Sequence, residues 1–541
     1  MTTQMFLATF LATTTAMPPP ATYVTDIESQ FEACQDLHPQ LEDLHEKLRS
    51  LRSKRNDISI MSKLPSDILS DIFILCLPPI EREFLADYEP PCSEFRTPRI
   101  PLRLSAVCGS WRRFVSSIPR LWSTLSIDIY QANLQHVNHR LQLSGSAPLR
   151  VQVSASDQAN PSPNQSRPSH SFDVVTLVKQ NLHRMSFLCL NIPCLFIKAF
   201  FSRDFGLPNS LPILEELHFH CSVNGRRRKC MQPHDFILST DPPCPKKVHA
   251  TILSIENIRV NWNNVRHLCL EASTAGSSSI VQAAVSLLSE CKRLHVVDLI
   301  YYPDPISSQT GMSVIQNSIR NLRLFHTSPN VLSRVTMPCL ESLTLWQSNC
   351  YPLDPLVSFL QRSACPLKTM VWKPFGSKLL PPEPAFIDVF QCTPKLEQLS
   401  LDLTDILDED SERHVIPFLK HLACASHDAA SAVPLHNRSH LPLLQKFVYT
   451  GPTIHASLSL LLDVAEARSR PFSASEGGQV TRPLEELVVY RFLDEEEFEP
   501  PTGTDLERIL RLNAANQKVS VLGHDVSCEM VNNDFSAYYH D

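Results

Sequence analysis

The sequence predicts an α/β chain: an N-terminal amphipathic helix, a unit of three short helices, and then a curved solenoid of strand–helix repeats lined by parallel strands. Three observations lead there. Apolar residues between Ile27 and Ile58 recur at steps of three and four, a dense aliphatic helical pattern runs from Leu64 to Ile118, and a short aliphatic motif then repeats through the rest of the chain. At 541 residues the chain exceeds one ordinary domain of ~150 residues, so it is several domains or one elongated repeat array.

Composition narrows the chemistry. Only 12 residues are glycine, about 2% against a usual ~7%, whereas 43 are proline. Loops that cradle phosphates use glycine where backbone N–H groups approach an anion, and the sequence has neither GxGxxG nor GxxxxGKS/T. GxSxG and HExxH are also missing from the sequence, and no Ser/His/Asp or Cys/His set has an informative spacing. Nucleotide-dependent and α/β-hydrolase chemistry are therefore disfavoured; no catalytic residue is nominated, and the chain is not expected to be an enzyme. With 49 Lys and Arg against 56 Asp and Glu, the net charge of −7 does not suit a protein that neutralises phosphates, so no nucleic-acid partner is expected. The 17 cysteines are odd in number and mostly lie in apolar segments such as FLCLNI and VRHLCLEAS, the pattern of reduced thiols in a cytoplasmic or nuclear protein. No segment approaches the ~20 uncharged apolar residues of a membrane span, so no membrane partner is expected. Residues 5–12, MFLATFLA, have the texture of a signal core but no preceding Lys or Arg. Residues 1–22 are read as a disordered start, with Met17 as an alternative initiator.

Residues 23–60 follow as an amphipathic helix or short coiled coil. Ile27, Phe31, Cys34, Leu37, Leu41, Leu44, Leu48, Leu51 and Ile58 form one stripe, with Glu, Lys and Arg on the other faces. The stripe has two possible uses: self-association, or packing onto the chain's own next unit. Pro39 predicts a kink or a late helix start.

Residues 61–121 form the three-helix unit. In LPSDILSDIFILCLPP, Pro65 sits at a helix start, Asp67 in the first turn where the macrodipole favours it, and a double proline at the end. Ile68, Leu69, Ile72, Phe73 and Cys76 share a broad face. After a polar interval, Trp111, Phe114, Val115 and Ile118 follow i, i+3, i+4 and i+7. A unit of ~50 residues is marginal on core size alone, so its surplus of apolar surface implies a partner. As an ordinary helical bundle packed on the rest of the chain, it would account for the apolar spacing. It would not account for Leu64-Pro65, Val107-Cys108 and Trp111 occurring together.

Leu64-Pro65, Ile68-Leu69, Ile72-Phe73, Leu104, Val107-Cys108 and Trp111-Arg112 resemble the F-box motif of fungal F-box proteins, over about 60 residues. The resemblance implies a three-helix unit that binds the Skp adaptor and, through it, a cullin. It assigns adaptor contact to Leu64, Pro65, Ile68, Leu69, Ile72, Leu104, Val107, Cys108 and Trp111. Two features depart from the pattern: an insertion of roughly twenty residues containing EREFLADYEPPCSEF, and Gly109 where the family usually has a basic or polar residue.

From residue 122 to 522 the chain reads as repeats. An aliphatic residue, two others, an aliphatic, one other and an aliphatic or aromatic recur from Met185, Leu214, Val265, Leu294, Ile319, Leu340, Leu367, Leu396, Leu444 and Leu484, with weaker versions at Trp122 and Leu149. Successive starts differ by 21 to 51 residues, mostly near the 20–29 of leucine-rich repeats, and two of the longer intervals have room for one further repeat each. The last two aliphatics alternate inward along a short strand and the first closes the turn beneath. Helix-like segments such as SSIVQAAVSLLSECKRL and EPAFIDVFQCTPKLEQL run between them, and Cys291, Cys339, Cys365 and Cys392 stand just ahead of strands. The pattern is similar to the irregular leucine-rich repeats that often follow an F-box, although the asparagine expected after each strand is mostly absent. A general α/β protein has the same leucine spacing. Residues 154–171 are polar, proline-containing and aperiodic, and read as a flexible loop within the array; residues 523–541 read as an unstructured tail.

Few other clusters invite a function. His218, His220, Cys221 and Cys230 offer ligand atoms, but no repeated spacing fixes a second pair, and His421, Cys424, His427, His436 and His440 are equally loose; no metal or other cofactor is expected. GRRRK at residues 225–229 is a solvated loop or an import patch. Positions between the inward residues of each strand face the concave surface, and His218, Glu271, Trp346, Lys373, Asp402 and Tyr490 are the candidates there for holding a protein target. The function this implies is substrate recognition within a Skp-cullin-F-box ubiquitin ligase. The alternative is a repeat scaffold with no role in ubiquitination.

Overall fold

The structure is a computed structural model. It describes residues 21–57, 63–77, 99–155, 168–193, 196–197, 200, 211–220, 242–251, 260–271, 278–300, 314–327, 329–347, 353–374, 383–404, 412–424, 441–452, 458–469, 482–492 and 503–522. These fall into two compact units, one ending at Leu121 and the other beginning at Trp122. No described helix is long and apolar enough to cross a membrane.

The first unit opens with α1 (Ala21–Asp57), which runs unbroken through Pro39. The late start that Pro39 suggested does not occur, because a 37-residue helix survives the loss of one backbone hydrogen bond. Its stripe residues Phe31, Leu37, Leu41, Leu44, Leu48 and Leu51 are all exposed. Pairs one turn apart, such as Lys47–Asp43 at 2.7 Å, lace the polar side. Three short helices follow: α2 (Ser66–Leu75), α3 (Ile100–Val107) and α4 (Gly109–Ser116), and then the single turn α5 (Pro119–Trp122).

The second unit is a 14-stranded sheet in which strands follow one another in chain order. The strands are β1 (Thr124–Asp128), β2 (Leu149–Ser154), β3 (Met185–Asn191), β4 (Glu216–His220), β5 (Lys247–Thr251), β6 (His267–Glu271) and β7 (Val296–Ile300). They continue, after the short β8 (Val314–Ile315), as β9 (Asn321–Phe325); β10 (Val335–Thr336) pairs with β8 apart from the main sheet. The rest are β11 (Ser342–Gln347), β12 (Thr369–Pro374), β13 (Gln398–Asp402), β14 (Lys446–Pro452), β15 (Glu486–Phe492) and β16 (Lys518–Leu522). Every pairing is parallel, and most connections between consecutive strands carry a helix: α6 (Leu134–Leu143), α7 (Pro168–Lys179), α8 (Ser278–Glu290), α9 (Asp354–Ser363), α10 (Glu383–Gln391), α11 (Glu412–Cys424), α12 (Leu458–Ala467) and α13 (Gly503–Ala514). Each repeat contacts its neighbours in sequence, which is the solenoid arrangement.

The register puts the repeat's aliphatic positions in continuous rows. Leu268, Val297, Leu322, Leu343, Met370, Leu399 and Phe447 pair in line, and two residues on, Leu270, Leu299, Leu324, Leu345, Trp372, Leu401 and Tyr449 do the same. Both rows are buried in one core with helix residues such as Val285, Leu356, Phe359 and Leu461. The leading aliphatics Val265, Leu294, Leu340, Leu367 and Leu396 are buried beneath them. Each fully buried Leu contributes roughly 1.5–3 kcal/mol.

Although the asparagine ladder is mostly absent, the strand entrances are still joined. One carbonyl ahead of each strand accepts two backbone N–H groups from the next repeat: Glu215 from Lys246 and Lys247, Arg266 from His295 and Val296, Arg320 from Glu341 and Ser342, and Lys368 from Glu397 and Gln398. This chain of shared acceptors satisfies backbone groups that the sheet ladder alone leaves open.

Several expectations need correction. Four strands lack a full copy of the motif: β1 and β2 carry the weaker versions and β5 and β16 carry none, so the array holds more strands than the full copies mark. The 51-residue interval does hide a repeat, β5. The 48- and 40-residue intervals hide none, because β13 pairs directly with β14 and β14 with β15. The loop expected over residues 154–171 is shorter: Ser154 ends β2, and α7 begins at Pro168, where proline suits a helix start and the Ser171 hydroxyl donates to the Ile129 carbonyl at 3.1 Å. The disordered start expected over residues 1–22 is two residues too long, since Ala21 and Thr22 already belong to α1; residues 1–20, the interhelical insertion, the centre of that loop, GRRRK and the C-terminal tail lie outside the described residues.

Candidate functional site

Two surfaces hold the residues the sequence singled out. On the first, Pro65 enters α2 with φ −53° and ψ 145°, and its carbonyl accepts from the Leu69 N–H at 3.0 Å. Phe73 is 1% exposed; its ring centroid lies 4.7 Å from that of Trp111 and 5.9 Å from that of Phe114. Ile68, by contrast, is 46% exposed, and on α3 Val107 is 55% exposed. Pro65 is exposed as well, while Leu64, Ile72, Leu104, Cys108 and Trp111 are half-buried. Leu69 is buried and is not offered at the surface.

Cys108 has a local role that the sequence did not reveal. It lies between α3 and α4 in extended conformation, and its Sγ accepts from the Trp111 N–H at 3.4 Å, acting as the N-cap of α4. The Arg112 Nε donates to the Ser105 carbonyl at 3.0 Å and further fixes the angle between the two helices. Nothing in the structure explains Gly109, since a side chain there would meet nothing. Leu75 and Leu102 are further exposed apolar residues of this unit that the motif did not mark.

The second surface is the face of the sheet opposite the aliphatic rows. Glu271, Ile300, Phe325, Trp346 and Lys373 occupy one register row, which continues through Asp402, Thr450 and Tyr490. Five of the six candidate target-binding residues therefore share a row. His218 belongs to the neighbouring row, between Cys189 and His249.

One end of this face is built from imidazoles and charge. His249 packs edge-on against His220, centroids 4.5 Å apart, and lies 5.5 Å from His218. His220 Nδ1 is 3.4 Å from Glu271 Oε2, and His218 Nε2 is 3.8 Å from Glu216 Oε2. Burial holds the His249 imidazole well below its ordinary value, helped by the neighbouring histidines, so the ring is neutral at physiological pH. His220, His249 and Glu271 each offer a ligand atom, all within 4.8 Å of one another. Beside them Asp298 meets His267 Nε2 at 2.8 Å and the Arg323 guanidinium. Burial pushes its carboxyl up, yet Arg323 and His267 together hold it below the usual carboxylate range.

The middle of the face is aromatic and cationic. The Phe325 and Trp346 rings lie 5.4 Å apart, Lys373 Nζ stands 4.9 Å over the Trp346 ring, and the same ammonium reaches Asp402 Oδ2 at 3.3 Å. The indole N–H of Trp346 is buried and has no hydrogen-bond partner among the described residues. Trp346 thus combines aromatic area and an unused donor with a paired cation over its ring.

Cys76, Cys108, Cys189, Cys244, Cys269, Cys291, Cys339, Cys365 and Cys392 are free thiols. Burial pushes the Cys291 thiol up to about 12 and the Cys365 thiol to about 11, so both are protonated apolar side chains at neutral pH.

No protein-family model and no curated protein sequence matches this chain. Among solved structures, the chain is similar to one in the crystal structure of the Rad7 and Elc1 complex in yeast, with 11% identity and a TM-score of 0.31, covering 90% of this chain and 97% of that one.

Proposed function

We propose that this chain is the substrate-recognition subunit of a Skp-cullin-F-box ubiquitin ligase, its short helical unit binding the Skp adaptor and its repeat face holding a protein target. The observation that carries the reading is the division of apolar residues in the helical unit. Phe73 and Leu69 turn inward, while Pro65, Ile68 and Val107, positions that the motif resemblance assigns to the adaptor, remain exposed. Aliphatic side chains left at the surface of so small a unit gain their transfer free energy when a partner covers them. Leu64, Ile72, Leu104 and Trp111, which the same resemblance assigns to the adaptor, are half-buried. The row from Glu271 to Tyr490 then supplies aromatic, cationic and acidic groups for a polypeptide ligand.

In this reading the chain performs no covalent chemistry. It contributes proximity and orientation by holding a target beside the transfer machinery that the adaptor and cullin recruit. It would act in the cytoplasm or nucleus.

The test is co-purification of the Skp adaptor with the full chain and with the double variant Ile68→Asp, Val107→Asp. Both side chains are exposed, so the variant keeps its fold by circular dichroism. Recovery of adaptor and cullin with the wild type and its loss in the variant are expected; equal recovery overturns the reading. A bound protein that fails to accumulate when the chain is depleted would make the chain a repeat scaffold instead.

A further inference from the structure

Of the two strands that the repeat motif does not mark at all, β5 has the smaller inward side chains. Its inward residues are Val248 and Ala250, where the neighbouring strands place Leu217 and Phe219 on one side and Leu268 and Leu270 on the other. A methyl group where a Phe and a Leu stand alongside gives up part of the apolar contact that holds a repeat in line. On the opposite face of the same strand, His249 has a buried Nε2 with no hydrogen-bond partner among the described residues. A buried imidazole nitrogen in that condition costs stability unless a ligand occupies it.

The surrounding donors fit one kind of ligand. His220 Nδ1 and Glu271 Oε2 are 3.4 Å apart, and all three ligand atoms of His220, His249 and Glu271 lie within 4.8 Å of one another. Tetrahedral ligation at ~2.0–2.1 Å separates ligand atoms by about 3.3 Å, so one edge is already at length and the others close through small side-chain rotations. Two imidazoles and one carboxylate suit a divalent transition metal, and the set has neither the number of oxygens that Ca²⁺ requires nor the octahedral oxygen donors of Mg²⁺. The three residues come from three consecutive strands, β4, β5 and β6.

We propose that His220, His249 and Glu271 form a zinc-type metal site that ties the weakly anchored fifth strand to both neighbours. His218, one register position beside His249 and turned to Glu216, borders the site. The ion would leave at least one coordination position for a water or for a group of a bound protein. This inference stands independently of adaptor binding.

The full-length chain, stripped with a chelator under reducing conditions, is titrated with Co²⁺ and then with Zn²⁺. One equivalent of Co²⁺ per chain is expected, with the visible absorption of a four- or five-coordinate site, no thiolate-to-metal charge-transfer band, and displacement by Zn²⁺. Glu271→Gln preserves shape at a half-exposed position, and His249→Phe preserves the ring packing; each is expected to weaken Co²⁺ binding at least tenfold. Zn²⁺ is expected to raise the thermal midpoint of the wild type and leave both variants unmoved. Non-saturating binding, a dominant thiolate band, or unchanged Co²⁺ affinity in the two folded variants would overturn the site.

Discussion

Asp298 on β7 accepts two hydrogen bonds from the Arg323 guanidinium on β9, 2.6 Å from Nε and 3.1 Å from Nη2. The two side chains are 7% and 6% exposed. This fork-to-fork pair lies directly across adjacent strands, because Asp298 and Arg323 are register partners. Removing one member leaves a buried charge uncompensated, so Asp298→Asn is expected to destabilise the repeat unit by roughly 3–5 kcal/mol in urea unfolding. The pH dependence follows from the depressed carboxyl. A group whose folded value lies below its unfolded ~3.9 contributes stability that is fully present above that value and is lost as pH falls through the folded one. The wild type should therefore lose stability below about pH 4, with a shallower acid slope in Asp298→Asn. Parallel slopes would exclude Asp298 as the origin.

Leu343 and Trp346 lie three residues apart on β11 and face opposite sides of the sheet. Leu343 is fully buried in the apolar core, whereas Trp346 is half-buried between Phe325 and Lys373 on the other face. Leu343→Ala is expected to cost about 2–5 kcal/mol, the range for a buried Leu whose site cannot collapse. Trp346→Ala should cost about 1 kcal/mol from lost ring and cation contacts, while weakening any target held on that face. Equilibrium unfolding of both variants checks the ordering; equal losses would mean that Trp346 is a core residue.

How much of this was legible in the sequence depends on where the physics is local. Leu268 and Leu270, or Leu343 and Leu345, announce a strand because an inward aliphatic must recur every second residue, and ten full copies of the motif mark ten strands. The β5 strand escaped notice because Pro245 stands where the leading aliphatic belongs and Ala250 is too small to register as an anchor. His249 was lost with it, and so was the meeting of His249, His220 and Glu271, which register alone brings together. Residue spacing does not show Cys108 as a helix cap, because a thiol's capping role depends on the backbone angle at that residue. Leu69 was read as outward because it adjoins Ile68 in the motif, whereas neighbours on a helix point about 100° apart.

Ala364 ends α9 with φ 44° and ψ 37°. The left-handed region costs a residue with a Cβ roughly 1–2 kcal/mol, and glycine is the usual occupant of this position after a helix. Ala364→Gly gives back part of that gain through the larger unfolded-state entropy of glycine, about 0.4–1 kcal/mol. A net stabilisation of roughly 0.5–1 kcal/mol is expected, read as a higher urea midpoint at unchanged slope. A lower midpoint would mean that the methyl group makes packing contacts worth more than the strain.

Phe73 is the residue on which the helical unit turns. It is almost fully buried, its ring meets both Trp111 and Phe114, and it links α2 to α4 across a long stretch of sequence. Phe→Ala at such a position costs about 3–5 kcal/mol, comparable to the whole stability that a unit of ~50 residues can hold. In Phe73→Ala, amide hydrogen exchange should therefore lose protection across residues 66–75 and 109–116, while amides of β11 and β12 keep theirs. Phe73→Leu, which retains most of the apolar volume, should restore intermediate protection. The same unit offers Ile68 and Val107 outward, so under the proposed function adaptor binding is expected to fall with the folded fraction in Phe73→Ala and to recover in Phe73→Leu. Protection lost equally in β11 would show that the two units unfold as one body. Protection retained in both would show that the aromatic trio does not hold the helices together.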